Sequence, residues 1–179
     1  MEILMRKFAG LCLLVVVCTG MLYAQDSTQT AVPESGVQLP GVTNSLAAGM
    51  TPEQFKAALK PLECKEGSLL GVGIFMTRVW LGKGAYILTL STKDDRLAML
   101  VMASADTSGT TTDDSLRSWF DGKIAAMPMP VHRTEKGDKG EPREVWLNGK
   151  TRWMKEIAQG QNNKTVPVYI IEFTTITKD

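Results

Sequence analysis

Two blocks of strand-forming sequence, on either side of one amphipathic helix, restrict the folds open to this chain. The first block has three runs rich in β-branched, aromatic and other apolar residues, at Val72–Leu81, Ala85–Thr92 and Leu97–Ser104, separated by Gly, Lys and Asp. Residues Asp114–Met127 follow, with apolar side chains at helical spacing. This order predicts an α+β domain built on an antiparallel sheet.

The second block begins with a hairpin signal. Asn148-Gly149 lies between alternating apolar residues of 144–154, and this dipeptide suits a type I′ turn because both central positions need positive φ. A turn centred on these two residues places Trp146 and Trp153 diagonally on one face. Val166–Thr177 predicts a last strand. The two blocks together predict a twisted antiparallel sheet of about five or six strands.

A second helix is predicted ahead of the first block. Thr51–Gln54 combines an N-cap Thr, a Pro at the first helical position and a Gln that completes a capping box. Phe55 and Leu59 then fall on one side. Within the block, Tyr86–Leu88 and Leu97–Met102 are apolar at consecutive positions, which predicts central strands covered on both faces by helices or other segments.

The first residues have the composition of a secretory signal peptide. Arg6-Lys7 precedes the apolar run Phe8–Met21, and Ala24 provides a small residue for cleavage. The run is shorter than the ~20 apolar residues that cross a membrane. We therefore predict a signal peptide at 1–24, cleaved after Ala24, and a secreted or periplasmic protein with no stable membrane span. Because Leu22 is bulky, an uncleaved leader kept as an anchor remains an alternative.

The chain after the predicted leader divides into two parts. Residues 25–49 are rich in Ser, Thr, Gln, Gly and Pro, which predicts a flexible linker. Residues 50–179 have the size of a single domain. Lys178-Asp179 has the composition of a turn into a further strand. We therefore expect a closing element that either a partner or additional chain supplies.

Charge and cysteine usage exclude two classes of protein. The chain has 20 basic and 19 acidic residues, and removal of the leader leaves equal numbers. A neutral chain has no long-range attraction to nucleic acid, so no nucleic-acid partner is expected. Only Cys64 follows Ala24, which excludes a disulfide framework. We interpret Cys64 as a small buried apolar residue.

The sequence offers neither a metal site nor a cofactor motif. His132 is the one histidine, so the usual nitrogen and sulfur ligands of zinc are missing. Asp106, Asp113 and Asp114 do not have the spacing of a calcium loop. One of the last two is better interpreted as the N-cap of the following helix. We expect no metal and no cofactor.

The candidate ligand contacts are three tryptophans on predicted strands, Trp80, Trp146 and Trp153. Exposed tryptophans on a sheet can stack against a sugar or an apolar ligand, but packing under a docked helix is more common. Core packing is our first interpretation for Trp146 and Trp153. The sequence does not identify the ligand.

Two functional hypotheses follow. The first is an exported, non-catalytic accessory or binding protein of the cell envelope or extracellular space, with an unknown protein, glycan or lipid partner. The alternative is a hydrolase of glycan or peptide bonds that uses strand carboxylates, with Glu144 or Glu156 acting together with His132. Glu172 is a further carboxylate on a predicted strand. Charged residues on strands more often face solvent.

The order helix, strand meander, helix, hairpin and strand, together with the turn Leu147–Lys150, resembles the small exported domains of the PsbP-like and DcrB-like kind. The resemblance covers most of residues 50–177. It implies a twisted antiparallel sheet between helices and an accessory role rather than an established enzymatic one. A C-terminal helix that the resemblance implies has no counterpart in this sequence, and no functional motif carries over.

Overall fold

One antiparallel sheet of eight strands organises the computed structural model, which describes residues 36–82, 84–105, 110–137, 140–159 and 165–173. The predicted leader at 1–24 lies outside these residues, and so does the end of the chain after 173. The described elements are, in chain order, α1 (Pro52–Ala58), β1 (Lys65–Leu69), β2 (Val72–Leu81), β3 (Gly84–Lys93), β4 (Arg96–Ser104), α2 (Thr110–Ala125), β5 (Val131–Lys136), β6 (Pro142–Asn148), β7 (Thr151–Gln159) and β8 (Thr165–Phe173).

The sheet consists of two meanders of four strands that meet in its middle. Its strand order is β1-β2-β3-β4-β8-β7-β6-β5, and every neighbouring pair is antiparallel. An α+β fold with an antiparallel sheet and two described helices agrees with the sequence prediction. The predicted number of five or six strands is wrong. The two additional strands, β1 and β5, are the edges of the sheet, and their polar, exposed residues give no hydrophobic signal.

Both helices pack on one face of the sheet, which we call the helix face. Phe55 of α1 and Leu116 and Phe120 of α2 are fully buried there. The ring centroid of Phe120 lies 5.6 Å from that of Trp153 and 5.1 Å from that of Tyr169. These aromatic contacts place α2 over the centre of the sheet, where it touches β3, β4 and β8.

The opposite face, which we call the ionic face, has its own apolar cluster and several ion pairs. Val101, Val145, Met154 and Ile170 are buried in this cluster. The central strands therefore bury side chains on both faces, as their continuous apolar runs predict. The buried side chains of both described helices belong to the helix face, so helices cover only that face among the described residues.

Residues 37–46 belong to the packed domain and not to a flexible linker, which corrects the boundary expected after residue 49. The side chains of Val37, Leu39, Val42 and Leu46 are buried in the same cluster as the helices. Val37 and Leu46 form an antiparallel bridge, with backbone N···O distances of 2.7 and 3.0 Å. Four apolar residues spaced along a polar segment are enough to hold it against the sheet. Residues 25–35 lie outside the described part of the chain.

The N-terminal cap predicted for α1 is present in the structure, whereas the cap predicted for α2 is not. At α1, the side chain of Thr51 accepts from the Gln54 amide while the Gln54 side chain accepts from the Thr51 amide, so the predicted capping box is confirmed. At α2, the helix already begins at Thr110. Asp113 and Asp114 therefore lie inside its first turns and do not cap it. Asp114 instead accepts a hydrogen bond from Arg117 at 2.6 Å.

The hairpin between β6 and β7 forms, but its register differs from the predicted one. Asn148 pairs with Thr151, so Gly149 and Lys150 are the central residues of the turn. Only Gly149 of these two has positive φ, at 58°. That pattern is typical of a type II′ turn with Gly at its first central position. As a result Trp146 lies directly opposite Trp153 and not diagonal to it.

We expect Gly149→Val to lower the free energy of unfolding by about 1–3 kcal/mol, the usual cost of a strained backbone position. The loss comes from the positive φ alone, because a Cβ at this position meets no atom within 4 Å. Thermal unfolding followed by circular dichroism measures it. Lys150→Val, at the next exposed position, is the matched control and should change the melting temperature much less. Equal effects of the two variants would contradict the assigned turn.

We also expect Leu46→Ala to destabilise the protein by about 2–5 kcal/mol, as other buried Leu→Ala changes do. Leu46 is 0% exposed within the segment that the composition suggested to be a linker. Urea denaturation monitored by tryptophan fluorescence gives the value. Thr43→Ala, in the same segment but exposed, should leave the midpoint almost unchanged. A Leu46→Ala variant as stable as the natural chain would show that the segment does not pack.

Candidate functional site

The three candidate tryptophans have different environments. Trp153 is 6% exposed and its ring centroid lies 6.0 Å from that of Trp119 in α2. Trp146 is half-buried and contacts Phe120, with ring centroids 5.8 Å apart. Trp80, in contrast, is 63% exposed. The structure thus places Trp146 and Trp153 under α2, as the core interpretation expects, and leaves Trp80 as the accessible one of the three.

The backbone that carries Trp80 is held by the N-terminal segment. A Cβ at Gly41 would lie 2.9 Å from the carbonyl oxygen of Trp80, so only glycine permits this approach, and the φ of Gly41 is +75°. Nearby, the hydroxyl of Tyr86 donates to the Pro40 carbonyl at 2.6 Å. Burial raises the pKa of Tyr86, which keeps this donor protonated. The exposed indole therefore projects from a fixed strand.

A cation accompanies the exposed indole. Arg78 precedes Trp80 by two residues on β2, so both side chains lie on the ionic face of the sheet. The guanidinium carbon of Arg78 lies 5.8 Å from the centroid of the Trp80 ring, within the range of a cation–π contact. The pair combines a flat aromatic surface with hydrogen-bond donors, and we call it the Trp80–Arg78 patch.

The groups proposed for hydrolysis are divided between the two faces of the sheet. His132 lies on the helix face, where its ring stacks on that of Trp146 with centroids 4.9 Å apart and an interplanar angle of 16°. Glu144 lies on the same face and is exposed. Glu156 and Glu172 lie on the ionic face, in ion pairs with arginines. The sheet therefore separates Glu156 and Glu172 from His132, whereas Glu144 is on the same face as His132, two residues along β6 from the Trp146 that faces it.

Arg152 connects carboxylates of two different strands on the ionic face. One guanidinium nitrogen donates to Glu172 on β8 at 2.7 Å, and the other donates to Glu135 on β5 at 3.0 Å. Glu135 also contacts Arg133. In a flat sheet the Cα atoms of Arg152 and Glu135 would lie about 16 Å apart, beyond the combined reach of the two side chains. The contact therefore requires the sheet to depart from flatness between β5 and β7, as twisted sheets do.

A second ion pair on this face is buried. Both Nε and a terminal nitrogen of Arg143 lie 2.7 Å from the same oxygen of Glu156, and the two side chains are only 8% and 5% exposed. Taking two charges out of water is costly, and their attraction with good geometry compensates for that cost. The pair joins β6 to β7 and has no open side for a substrate. Its role is structural.

Cys64 and the metal-binding residue types show no reactive arrangement. The Cys64 side chain is partly buried, and this burial raises the pKa of its thiol, so the nucleophilic thiolate is disfavoured at neutral pH. Among the described residues, no three His, Cys, Asp or Glu side chains are grouped in a way that suits a metal ion. Asp106 and the side chain of Asp113 lie outside the described part of the structure.

Sequence reasoning overlooked Arg78 and the role of Arg152. The sequence does contain a signal that places Arg78 beside Trp80, because residues two apart on a strand lie on the same face and Arg78 precedes Trp80 by that spacing. Arg152 had no such signal. Its partners Glu135 and Glu172 lie on strands distant in the chain, and one of those strands, β5, was not predicted.

Comparison with known proteins gives no match, whether with protein-family models, with characterised proteins or with solved structures. The resemblance to PsbP-like and DcrB-like domains therefore stays a prediction. In the part of the chain that the structure describes, every helix is too short or too polar to cross a membrane.

We expect Glu156→Gln to destabilise the protein by about 3–5 kcal/mol, because it leaves the charge of Arg143 buried without its carboxylate. Replacing both residues together, by Arg143→Met and Glu156→Leu, should cost less than the single change. Chemical denaturation of the single and double variants measures this. Glu66→Gln, in the more exposed pair with Lys56, is the control and should have little effect. A single variant no less stable than the double would contradict the assignment.

Proposed function

We propose that the chain is an exported, non-catalytic binding protein of the cell envelope or extracellular space. The Trp80–Arg78 patch is the single observation that carries the binding role. An indole that is 63% exposed leaves a large apolar surface in water. Contact between this apolar surface and water is unfavourable, so a ligand that covers the indole would gain free energy from its burial.

The chemistry of the patch favours a glycan among the protein, glycan and lipid partners that the sequence leaves open. The C–H-rich face of a sugar ring can stack on an indole, which presents an apolar body and a polar edge. The neighbouring guanidinium of Arg78, at 5.8 Å from the ring centroid, offers donors to hydroxyl or carboxylate groups of the same sugar. A lipid surface or a protein would be expected to use a larger apolar area than one exposed indole.

The proposal of a non-catalytic role is supported by the state of the strand carboxylates. Glu135, Glu156 and Glu172 each contact an arginine on the ionic face. A carboxylate whose oxygens already accept hydrogen bonds from a guanidinium has fewer lone pairs available to a substrate. Export rests on the leader predicted at 1–24, and the structure does not describe that segment.

We expect Trp80→Ala to weaken glycan binding at least tenfold, which corresponds to ~1.4 kcal/mol. The probes are a panel of defined oligosaccharides, and the readouts are titration calorimetry and tryptophan emission, which should shift to the blue when Trp80 is covered. Ile157→Ala is the matched control, since Ile157 is an exposed apolar residue on the helix face, at 47% exposure. It should bind as the natural protein does.

Three results would contradict the proposal. Equal affinity of Trp80→Ala and the natural protein would show that Trp80 does not contact the ligand. Binding only to lipid vesicles or to a protein would show that the ligand class is wrong. Release of shortened oligosaccharides during the titration would show that the protein is an enzyme.

A further inference from the structure

The edge strand β5 has one side without a strand partner among the described residues. It pairs with β6 on its other side, from Val131 opposite Leu147 to Lys136 opposite Pro142. All of its side chains except that of Glu135 are exposed. The backbone groups along such an edge are the groups with which another strand can pair.

The sequence of β5 complements itself in antiparallel pairing. When Thr134 is placed opposite Thr134 of a second copy, Arg133 faces Glu135 of that copy, and the same contact repeats through the two-fold symmetry. These pairs would lie on the ionic face of both sheets. On the helix face, Thr134 meets its equivalent and His132 meets Lys136. Opposite charges and Thr–Thr contacts are favourable cross-strand pairs.

Neighbouring registers lack this complementarity. A shift by two residues in one direction places Arg133 opposite Arg133, and a shift in the other direction places Glu135 opposite Glu135. Like charges directly opposite each other are destabilising. A shift by one residue would turn the faces of the two sheets in opposite directions, which a two-fold axis perpendicular to the sheet does not allow. Among the register centred on Thr134 and the two registers shifted by two residues, only the first avoids facing like charges.

The other edge of the sheet does not have this property. Pairing β1 with itself around Gly67 places Glu66 opposite Ser68 and Lys65 opposite Leu69, so no charge meets its opposite. Glu66 is already in an ion pair with Lys56 of α1. A glycine at the centre also weakens a strand. Self-complementarity is thus a feature of β5 and not of both edges.

The side chains that would meet the second copy are already positioned. Arg152 holds one oxygen of Glu135 at 3.0 Å, and the other oxygen contacts Arg133 of the same chain. Arg133 is 52% exposed, so it can exchange this contact for Glu135 of a second copy. Met129, two residues before β5, and Val131, its first residue, are 94% and 60% exposed and add apolar surface near the edge.

We propose that two copies of this chain form a two-fold symmetric dimer by antiparallel pairing of β5 with β5, in the register centred on Thr134. The pairing joins two eight-stranded sheets into one continuous sheet. Trp80 lies on β2, near the opposite edge, so the dimer leaves both Trp80–Arg78 patches accessible. The dimer does not depend on the proposed glycan binding. A six-residue strand makes a small interface, and dissociation on dilution is therefore expected.

Sedimentation equilibrium of the natural protein over a wide concentration range tests the dimer. A monomer–dimer equilibrium is expected, and Arg133→Glu, which places two glutamates opposite each other, should weaken dimerisation at least tenfold. Lys150→Glu makes the same charge change in the exposed β6–β7 turn and is the matched control. A protein that stays monomeric at all concentrations, or a dimer equally sensitive to both variants, overturns the proposal.

Disulfide cross-linking tests the register and does not depend on the folding of Arg133→Glu. In a parent in which Cys12, Cys18 and Cys64 are all replaced by Ala, Thr134→Cys places the new thiol opposite itself, within cross-strand distance. Mild oxidation should convert most of this variant into a covalent dimer. His132→Cys, which faces Lys136 of the second copy, should remain largely uncrosslinked, as should the parent. Cross-linking at 132 in preference to 134, or none at 134, overturns the proposed register and the dimer built on it.

Discussion

The pairing of β4 with β8 is the constraint on which the rest of the structure depends. Leu100 opposite Ile171 and Met102 opposite Tyr169 join the two meanders in the middle of the sheet. These residues are far apart in the chain, so the contact is entropically expensive to form. Once formed, it makes both strands central, with buried side chains on both faces. α2, which connects the two meanders, then lies over the junction and touches both strands.

Side chains alternate between the two faces along each strand, so the aromatic contacts lie on one face of the sheet and the ion pairs on the other. The helix face holds the aromatic residues, and there Phe120 contacts Trp153 and Tyr169. The ionic face combines an apolar cluster with the buried pair Arg143–Glu156. Apolar burial, which involves more residues on the helix face than on the ionic face, is the dominant favourable term in folding. The buried pair is strongly destabilising to break, and we infer that it helps to specify how β6 aligns with β7.

The same alternation determines which groups a partner can reach. Trp153 and Trp146 point to the helix face and are covered by α2, whereas Trp80 points to the other face near one edge of the sheet. Glu135, Glu156 and Glu172 on the ionic face are in contact with arginines, which limits their access to a partner. A binding role for Trp80 and a self-pairing role for β5 use different ends of the sheet. Both roles can therefore coexist in one assembly.

The sequence alone was sufficient to predict the elements that bury apolar residues at regular spacing. β2, β3, β4, the β6–β7 hairpin, β8 and the capping box of α1 were all predicted near their observed positions. The edge strands β1 and β5 were not, because an exposed strand needs no hydrophobic pattern. The strand order was likewise not readable, since pairing of distant strands leaves no local signal.

Tertiary structure decided the features that depend on contacts between distant residues. The hairpin has a shifted register, in which the two tryptophans under α2 lie directly opposite each other. Residues 37–46 have the composition of a linker, but four spaced apolar side chains of this segment pack against the sheet. Glu156, a solvent-facing charge by its sequence context, became buried because Arg143 arrives from the neighbouring strand. Local composition sets what a segment can form, and only the packed sheet determines what each side chain meets.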